Sequence, residues 1–192
     1  MTKVLILTGS ARPNSVSTQV AKLVETELQK REGVTPDVVE VAELNLPFYN
    51  ATISPSAEDY VATDENVKAW SDMVTGADAV VWVMPEYNHS ISAIQKNAID
   101  WLYKEWTNKP LAIVAYGWYE GANVLESVKW PLKVLKSDVR ATAGLGFMKQ
   151  LEVDGKAKDQ AAVDQILSTT VDALLAEKQE VVVSEEVDRV AA

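Results

Sequence analysis

The chain has 192 residues, 47% of them apolar and 24% charged, which fits one globular core and supports neither a disordered nor a fibrous class. A net charge of −10 lacks the basic surface that nucleic acid or anionic lipid demands, so neither is expected as a partner. With no cysteine and a single histidine, His89, there are no disulfides, thiolate nucleophiles or CxxC pairs; metal catalysis is not expected, and electron chemistry would need a bound cofactor.

Lys3 to Thr8 opens the chain with a short apolar run of the kind that forms a strand buried on both faces. That run is shorter than the apolar core of a secretory signal, and nothing later approaches the roughly 18 apolar residues of a membrane span, so a cytoplasmic location is expected. Val20, Leu23, Val24 and Leu28 follow at helical spacing. A weaker strand is predicted around Asp37 to Val41, and then Asn45 to Asp64 runs about twenty residues without a period. That is long for a connection, and it is expected to act as a flap near a ligand site. A helix around Glu65 to Val74 leads to a second buried strand, Ala79 to Met84, and to a helix carrying Ile91, Ile94, Ala98, Trp101 and Leu102. A third buried strand spans Leu111 to Tyr116. Gly121 to Lys136 reads as a helix that should kink or restart at Pro131, whose ring clashes with the preceding turn. A strand near Ala141 to Phe147 and a helix from about Lys158 to Lys178 complete five βα units. Such alternation predicts an α/β doubly wound parallel sheet as one domain over residues 1–180, with 181–192 as a C-terminal tail or arm.

In an open parallel sheet, ligands bind beyond the carboxyl ends of the strands, where strand order reverses. Three loops carry the informative residues. After the first strand, Gly9-Ser10-Ala11-Arg12-Pro13-Asn14-Ser15-Val16-Ser17-Thr18 places hydroxyls, amides and one guanidinium at a helix start. It is neither a Walker A loop nor a GxGxxG turn. It reads either as an anion site or as a helix cap rich in Ser and Asn, and Arg12 tips the balance toward a phosphate. No acid precedes Glu25, so this end of the acidic chain is locally positive through Lys3, Arg12 and Lys22.

After the strand at Ala79 to Met84 comes Pro85-Glu86-Tyr87-Asn88-His89-Ser90-Ile91, followed by Lys96-Asn97-Ala98-Ile99-Asp100-Trp101. This stretch resembles the flavin loop and helix of the NADPH-dependent FMN reductase family, as do the Gly-Ser-x-Arg opening and Asn108 to Gly117. The resemblance covers residues 1 to about 150. It implies a flavodoxin-like three-layer α/β/α sandwich with a five-stranded parallel sheet of order 2-1-3-4-5. It further implies an FMN-dependent NAD(P)H oxidoreductase, with NADPH or NADH as co-substrate. Hydride would pass through the flavin N5 to a small-molecule electron acceptor (quinone, azo compound, metal oxyanion or free flavin) by a ping-pong route. By the same resemblance, Ser10, Arg12, Ser15, Ser17 and Thr18 hold the FMN phosphate. Pro85, Glu86, Tyr87 and Asn88 line the isoalloxazine, and Tyr116 and Gly117 close its other side. No side chain is required as a catalytic nucleophile and no metal is implied. A homodimer or dimer of dimers is implied, with the long flap and the neighbouring subunit walling the flavin.

The third loop departs from the family pattern Tyr-Gly-Gly-x-Gly-Gly, reading Tyr116-Gly117-Trp118-Tyr119-Glu120-Gly121. Glycine can be replaced only where φ and space permit. The loop must therefore be displaced, or Trp118 and Tyr119 must cover the flavin face. Two rival readings follow: a flavodoxin-like electron carrier, against which Arg12 argues, and a diverged flavoprotein that binds flavin weakly and serves an interaction role. His89 is read as a solvent-facing loop residue and Glu86 as contributing backbone rather than acid–base chemistry. Trp70, Trp82 and Trp101 fall on apolar positions expected in a core or a subunit interface. Lys96, Asp100 and Lys104 form a helix-face stripe expected to be solvated or part of a dimer contact.

Overall fold

Strands buried on both faces leave no polar alternation in the sequence, and the three most apolar runs become the central strands β1 (Thr2–Leu7), β3 (Ala79–Pro85) and β4 (Pro110–Gly117). With β2 (Val34–Val39) and β5 (Asp138–Gly146) they form one parallel sheet of order β2-β1-β3-β4-β5 in a computed structural model that describes residues 1–177. The helices are α1 (Val16–Gln29), α2 (Glu65–Thr75), α3 (Ala93–Asp100), α4 (Ala122–Leu135) and α5 (Gln160–Leu175). Alternate strand residues feed two separate cores. Val4, Ile6, Val81, Val83 and Val114 pack with Val20, Val24, Leu28, Val163 and Leu167 of α1 and α5. Leu5, Leu7, Val80, Trp82 and Ile113 pack with residues of α2, α3 and α4. The α/β/α layering and strand order are those the family resemblance implied. Among the described residues no helix is long and apolar enough to cross a membrane.

Three expectations are corrected. The second strand begins at Val34 rather than near Asp37, and it contains Pro36. Proline is tolerated there because β2 is an edge strand, where a missing N–H need not face a partner. The helix around Pro131 does not restart, and α4 runs in one piece from Ala122 to Leu135. Val128, Leu132 and Leu135 are buried on its inner side, so packing holds the turns on either side of the proline together. The long segment 45–64 is pinned to α3. The Pro47 carbonyl accepts from both Asn97 Nδ2 (2.9 Å) and Trp101 Nε1 (2.8 Å), and Tyr49 N donates to Asn97 Oδ1 (2.8 Å). Tyr49 also meets Trp101 edge-on at 5.1 Å. The segment lines a cavity of its own, separate from the cleft described below.

Trp70 and Trp82 are core residues, joined through Trp106 by edge-to-face contacts at 5.9 and 5.1 Å, and Trp101 is buried beneath Pro47. In the charged stripe, Lys96 pairs with Asp100 at 2.6 Å while Lys104 reaches back to the Glu58 carbonyl. The expected tail at 181–192, with the last residues of the predicted C-terminal helix, lies outside the described residues.

Candidate active site

β1 and β3 lie side by side where the chain order reverses, and the loops that leave their carboxyl ends line a cleft of about 590 Å³. That volume lies within the range of small-molecule and cofactor sites. Four loops build it rather than three. The β1–α1 loop contributes Arg12 and Ser15, the β3–α3 loop Pro85, Glu86, Tyr87, Asn88 and His89, and the β4–α4 turn Tyr116, Gly117, Trp118 and Tyr119. The loop after β5 adds Phe147, Val153 and Asp154. The loop after β5 leaves the same edge of the sheet as the other three, so the gathering of ligands beyond strand ends predicts it as well.

The first loop is held by the absence of a side chain at Gly9. A Cβ there would fall against Pro85 Cδ and lie 2.6 Å from both Gln95 Oε1 and the Val83 carbonyl, all belonging to the neighbouring β3–α3 unit. Ser92 caps α3 by accepting from Gln95 N and donates to the Gly9 carbonyl, which ties the first loop to the second. Of the residues expected to hold one anion, Ser10, Arg12, Ser15 and Thr18 line one cavity beside the first loop, and Ser17 does not. Ser15 is the N-cap of α1, accepting from Ser17 N at 3.1 Å, and it lines the cleft. Ser10 and Thr18 border that shallower cavity, while Arg12 and Ser15 line both it and the cleft. Ser17 lines neither; its hydroxyl is fully buried against the Tyr116 hydroxyl at 2.7 Å. The Ser10 hydroxyl meets the Tyr87 hydroxyl at 2.7 Å and accepts from Arg12 N at 3.2 Å.

Arg12 is the one arginine or lysine lining the cleft among the described residues, and its guanidinium has no hydrogen bond or ion pair there. The backbone N–H groups of Asn14, Ser15 and Val16 likewise have no acceptor among the described residues. An exposed guanidinium beside unsatisfied amides at a helix N-terminus suits a phosphate. Burial pushes the Tyr116 phenol up to about 12, so it stays protonated and can donate a hydrogen bond across the neutral range.

The second loop is a tight hairpin. Tyr87 N donates to the Ser90 carbonyl and Ser90 N to the Tyr87 carbonyl, both at 3.0 Å, with Asn88 and His89 at φ of 50° and 62° between them. His89 is exposed as expected, yet it also borders the cleft, with Nδ1 3.4 Å from Glu86 Oε1. The Glu86 carboxylate has a role that the sequence reading did not assign. It accepts from Asn123 N (2.9 Å), Asn123 Nδ2 (2.9 Å) and Val124 N (3.4 Å), so it caps α4 from a different loop. Desolvation, the largest influence on this carboxyl, pushes it up. Asn123 and Val124, with the charge of His89, outweigh it and leave the group below the usual glutamate range. The backbone of Glu86 donates to the Tyr116 carbonyl at 3.0 Å, which links the second loop to the third.

The third loop is not displaced from the cleft; Trp118 and Tyr119 line it. Glu120, standing where the family pattern has a glycine, keeps a left-handed φ of 58°. It is accommodated because the facing residues, Gly144 and Gly146, have no Cβ: one added at Gly146 would lie 2.8 Å from Glu120 Cγ, and one at Gly144 would strike the Glu120 carbonyl.

The NADPH-dependent FMN reductase model matches residues 2–140. An NAD(P)H-dependent FMN reductase of Schizosaccharomyces pombe is 36% identical over 141 residues, 73% of this chain and 70% of that protein. Its namesake from Saccharomyces cerevisiae is 33% identical over 149 residues, 71% of this chain and 76% of that protein. A quinone reductase of Escherichia coli is 35% identical over 114 residues, 57% of this chain and 54% of that protein. Among solved structures, the flavoenzyme NAD(P)H:(acceptor) oxidoreductase of Paracoccus denitrificans superposes with a TM-score of 0.71 at 23% identity. The match covers 91% of this chain and 97% of that one, and it supports the shared fold.

Proposed function

Because the chain belongs to the NADPH-dependent FMN reductase family, we propose that it transfers two electrons from NAD(P)H to a small acceptor such as a quinone in the four-loop cleft. FMN is the cofactor. When bound it would supply the hydride chemistry that links the nicotinamide to the acceptor in a ping-pong cycle, with the net reaction NAD(P)H + H⁺ + quinone giving NAD(P)⁺ + hydroquinone. The observation that carries this reading is the unpaired Arg12 guanidinium beside the free N–H groups of α1, facing the Pro85–Asn88 loop across one cleft.

The residues take different parts. Arg12 and Ser15 meet the phosphate directly, with the Asn14 to Val16 amides behind them. Ser10 and Ser17 act one step back by fixing the Tyr87 and Tyr116 hydroxyls, and Thr18 lines the adjoining cavity with Arg12 and Ser15. Pro85, Glu86, Tyr87 and Asn88 supply one wall for the ring and Tyr116 with Gly117 the other. The protein positions the reactants and excludes water, and no side chain serves as a nucleophile.

A homodimer, or a dimer of dimers, in the cytoplasm completes the reading. Phe48 and Val61, 83% and 75% exposed on segment 45–64, support burial of that segment against a second copy. A second reading, a diverged flavoprotein that binds flavin weakly, is favoured by the two aromatic side chains standing in the cleft. FMN titration of the purified protein followed by NADPH and NADH oxidation with a quinone panel separates the two. Saturable FMN binding with turnover supports the enzyme; absence of flavin absorbance near 450 nm after FMN addition and desalting favours the second reading.

A further inference from the structure

The turn between β4 and α4 is locked at both ends and open in the middle. At its start, the Gly117 carbonyl accepts from Phe147 N at 3.1 Å and from Glu120 N at 3.3 Å. At its end, a Cβ on Gly121 would lie 2.5 Å from that of Ala115, and the Glu120 carboxylate is held by Lys149 Nζ at 3.1 Å. Neither anchor uses the side chains of Trp118 or Tyr119. These are 62% and 68% exposed, a position where water favours polar residues, yet both border the cleft. Large apolar rings presented at a ligand cleft mark recognition. Trp118 is braced from behind, meeting Phe147 edge-on at 5.4 Å, and Phe147 meets Tyr116 at 6.0 Å. Trp118, Phe147 and Tyr116 thus form a connected set of rings with no charged group among them, and Tyr119 stands beside it at the cleft.

From this geometry we infer that Trp118 and Tyr119 select the electron acceptor, favouring flat fused-ring aromatics over single-ring or inorganic acceptors. A ring face gains from a second ring laid against it, in offset or edge contact, roughly in proportion to the shared apolar area. A metal oxyanion gains nothing from the uncharged rings of Trp118 and Tyr119, and the Arg12 guanidinium, which could attract one, is assigned to phosphate. This inference rests on the oxidoreductase reading and refines it to a class of acceptor.

The test uses the FMN-loaded protein with Trp118→Ala, Tyr119→Ala and the conservative Trp118→Phe, and with menadione, 1,4-benzoquinone and ferricyanide as acceptors. The ratio of kcat/KM for menadione to that for ferricyanide is expected to fall about 2- to 12-fold for each ring removed, the range set by one aromatic contact. The fall should be smaller for benzoquinone, and Trp118→Phe should restore most of the loss. Menadione affinity, read by quenching of protein fluorescence with and without FMN, should weaken by a similar factor in the alanine variants. An unchanged ratio, or a loss in Trp118→Phe equal to that in Trp118→Ala, overturns the inference. If the wild-type protein does not oxidise NAD(P)H, the oxidoreductase reading fails. The quenching titration still decides separately whether the two rings bind the flat ligand, and unaltered affinity on their removal refutes that.

Discussion

Replacing Arg12 with alanine isolates the phosphate assignment, because its guanidinium has no partner among the described residues whose loss would confuse the result. A hydrogen bond to a charged group is worth about 1.5 to 3 kcal/mol, and an exposed ion pair about 0.2 to 1 kcal/mol. Arg12 is exposed at the cleft edge, but the unsatisfied amides of α1 would share its ligand, so a value between these ranges is expected, about 1.4 kcal/mol or roughly tenfold in Kd. Arg12→Lys keeps the charge and loses the fork, and should fall between wild type and alanine. The assay is fluorescence titration of FMN at two salt concentrations, since removing a charge contact should also flatten the salt dependence. The melting temperature of the flavin-free protein should change little, as for a surface substitution within about 0.5 kcal/mol. An unchanged FMN Kd refutes the assignment, and a large drop in melting temperature without flavin would mean that Arg12 is structural.

Tyr116→Phe should destabilise the protein by about 1 to 3 kcal/mol in denaturant unfolding, because it strands the buried Ser17 hydroxyl. Adding Ser17→Ala should recover part of that loss, and a double variant as unstable as the sum of the singles would contradict the pairing. Gly9→Ala drives a methyl into Pro85 and Gln95 and should cost about 1 to 3 kcal/mol, seen as a melting temperature lower by roughly 2 to 12 °C. Glu86→Gln should weaken the cap on α4 by about 1 kcal/mol at neutral pH. Because the folded carboxyl sits below its ordinary value of 4.5, its stabilisation is fully present above that value and disappears as pH falls through the lower folded value. The stability gap between wild type and Glu86→Gln, followed by thermal unfolding between pH 6 and pH 3, should therefore close as the solution is acidified; a gap constant over that range would refute the cap's dependence on charge.

Local pattern sufficed wherever burial on both faces or a helical stripe decided the outcome. The runs at 3–8, 79–84 and 111–116 read directly as central strands because parallel strands under two helical layers have no polar face to interrupt them. The edge strand, expected around Asp37 to Val41, lies at Val34–Val39, because a half-exposed strand has no continuous apolar run to mark its bounds. The segment 45–64 was expected beside the ligand, but its place follows from one carbonyl, that of Pro47, receiving two donors from α3. Loop length alone could not reveal that contact.

The sequence by itself determined the class of sheet, the edge on which ligands gather, and the residue types gathered there, because the order of strands and helices dictates which loops share an edge. The tertiary structure decided which way those residues turn. Ser10 meets Tyr87 across 77 residues of chain, Ser17 meets Tyr116 across 99, and Glu86 caps a helix start 37 residues on. Each of these hydroxyls and carboxylates could have faced a ligand or a neighbouring loop, and only the packed loops decide, since a buried polar group must take whichever partner lies within reach. By the same reasoning, Trp118 and Tyr119 became a wall of the cleft only because Gly144 and Gly146, on another strand, leave room for the glutamate that follows them.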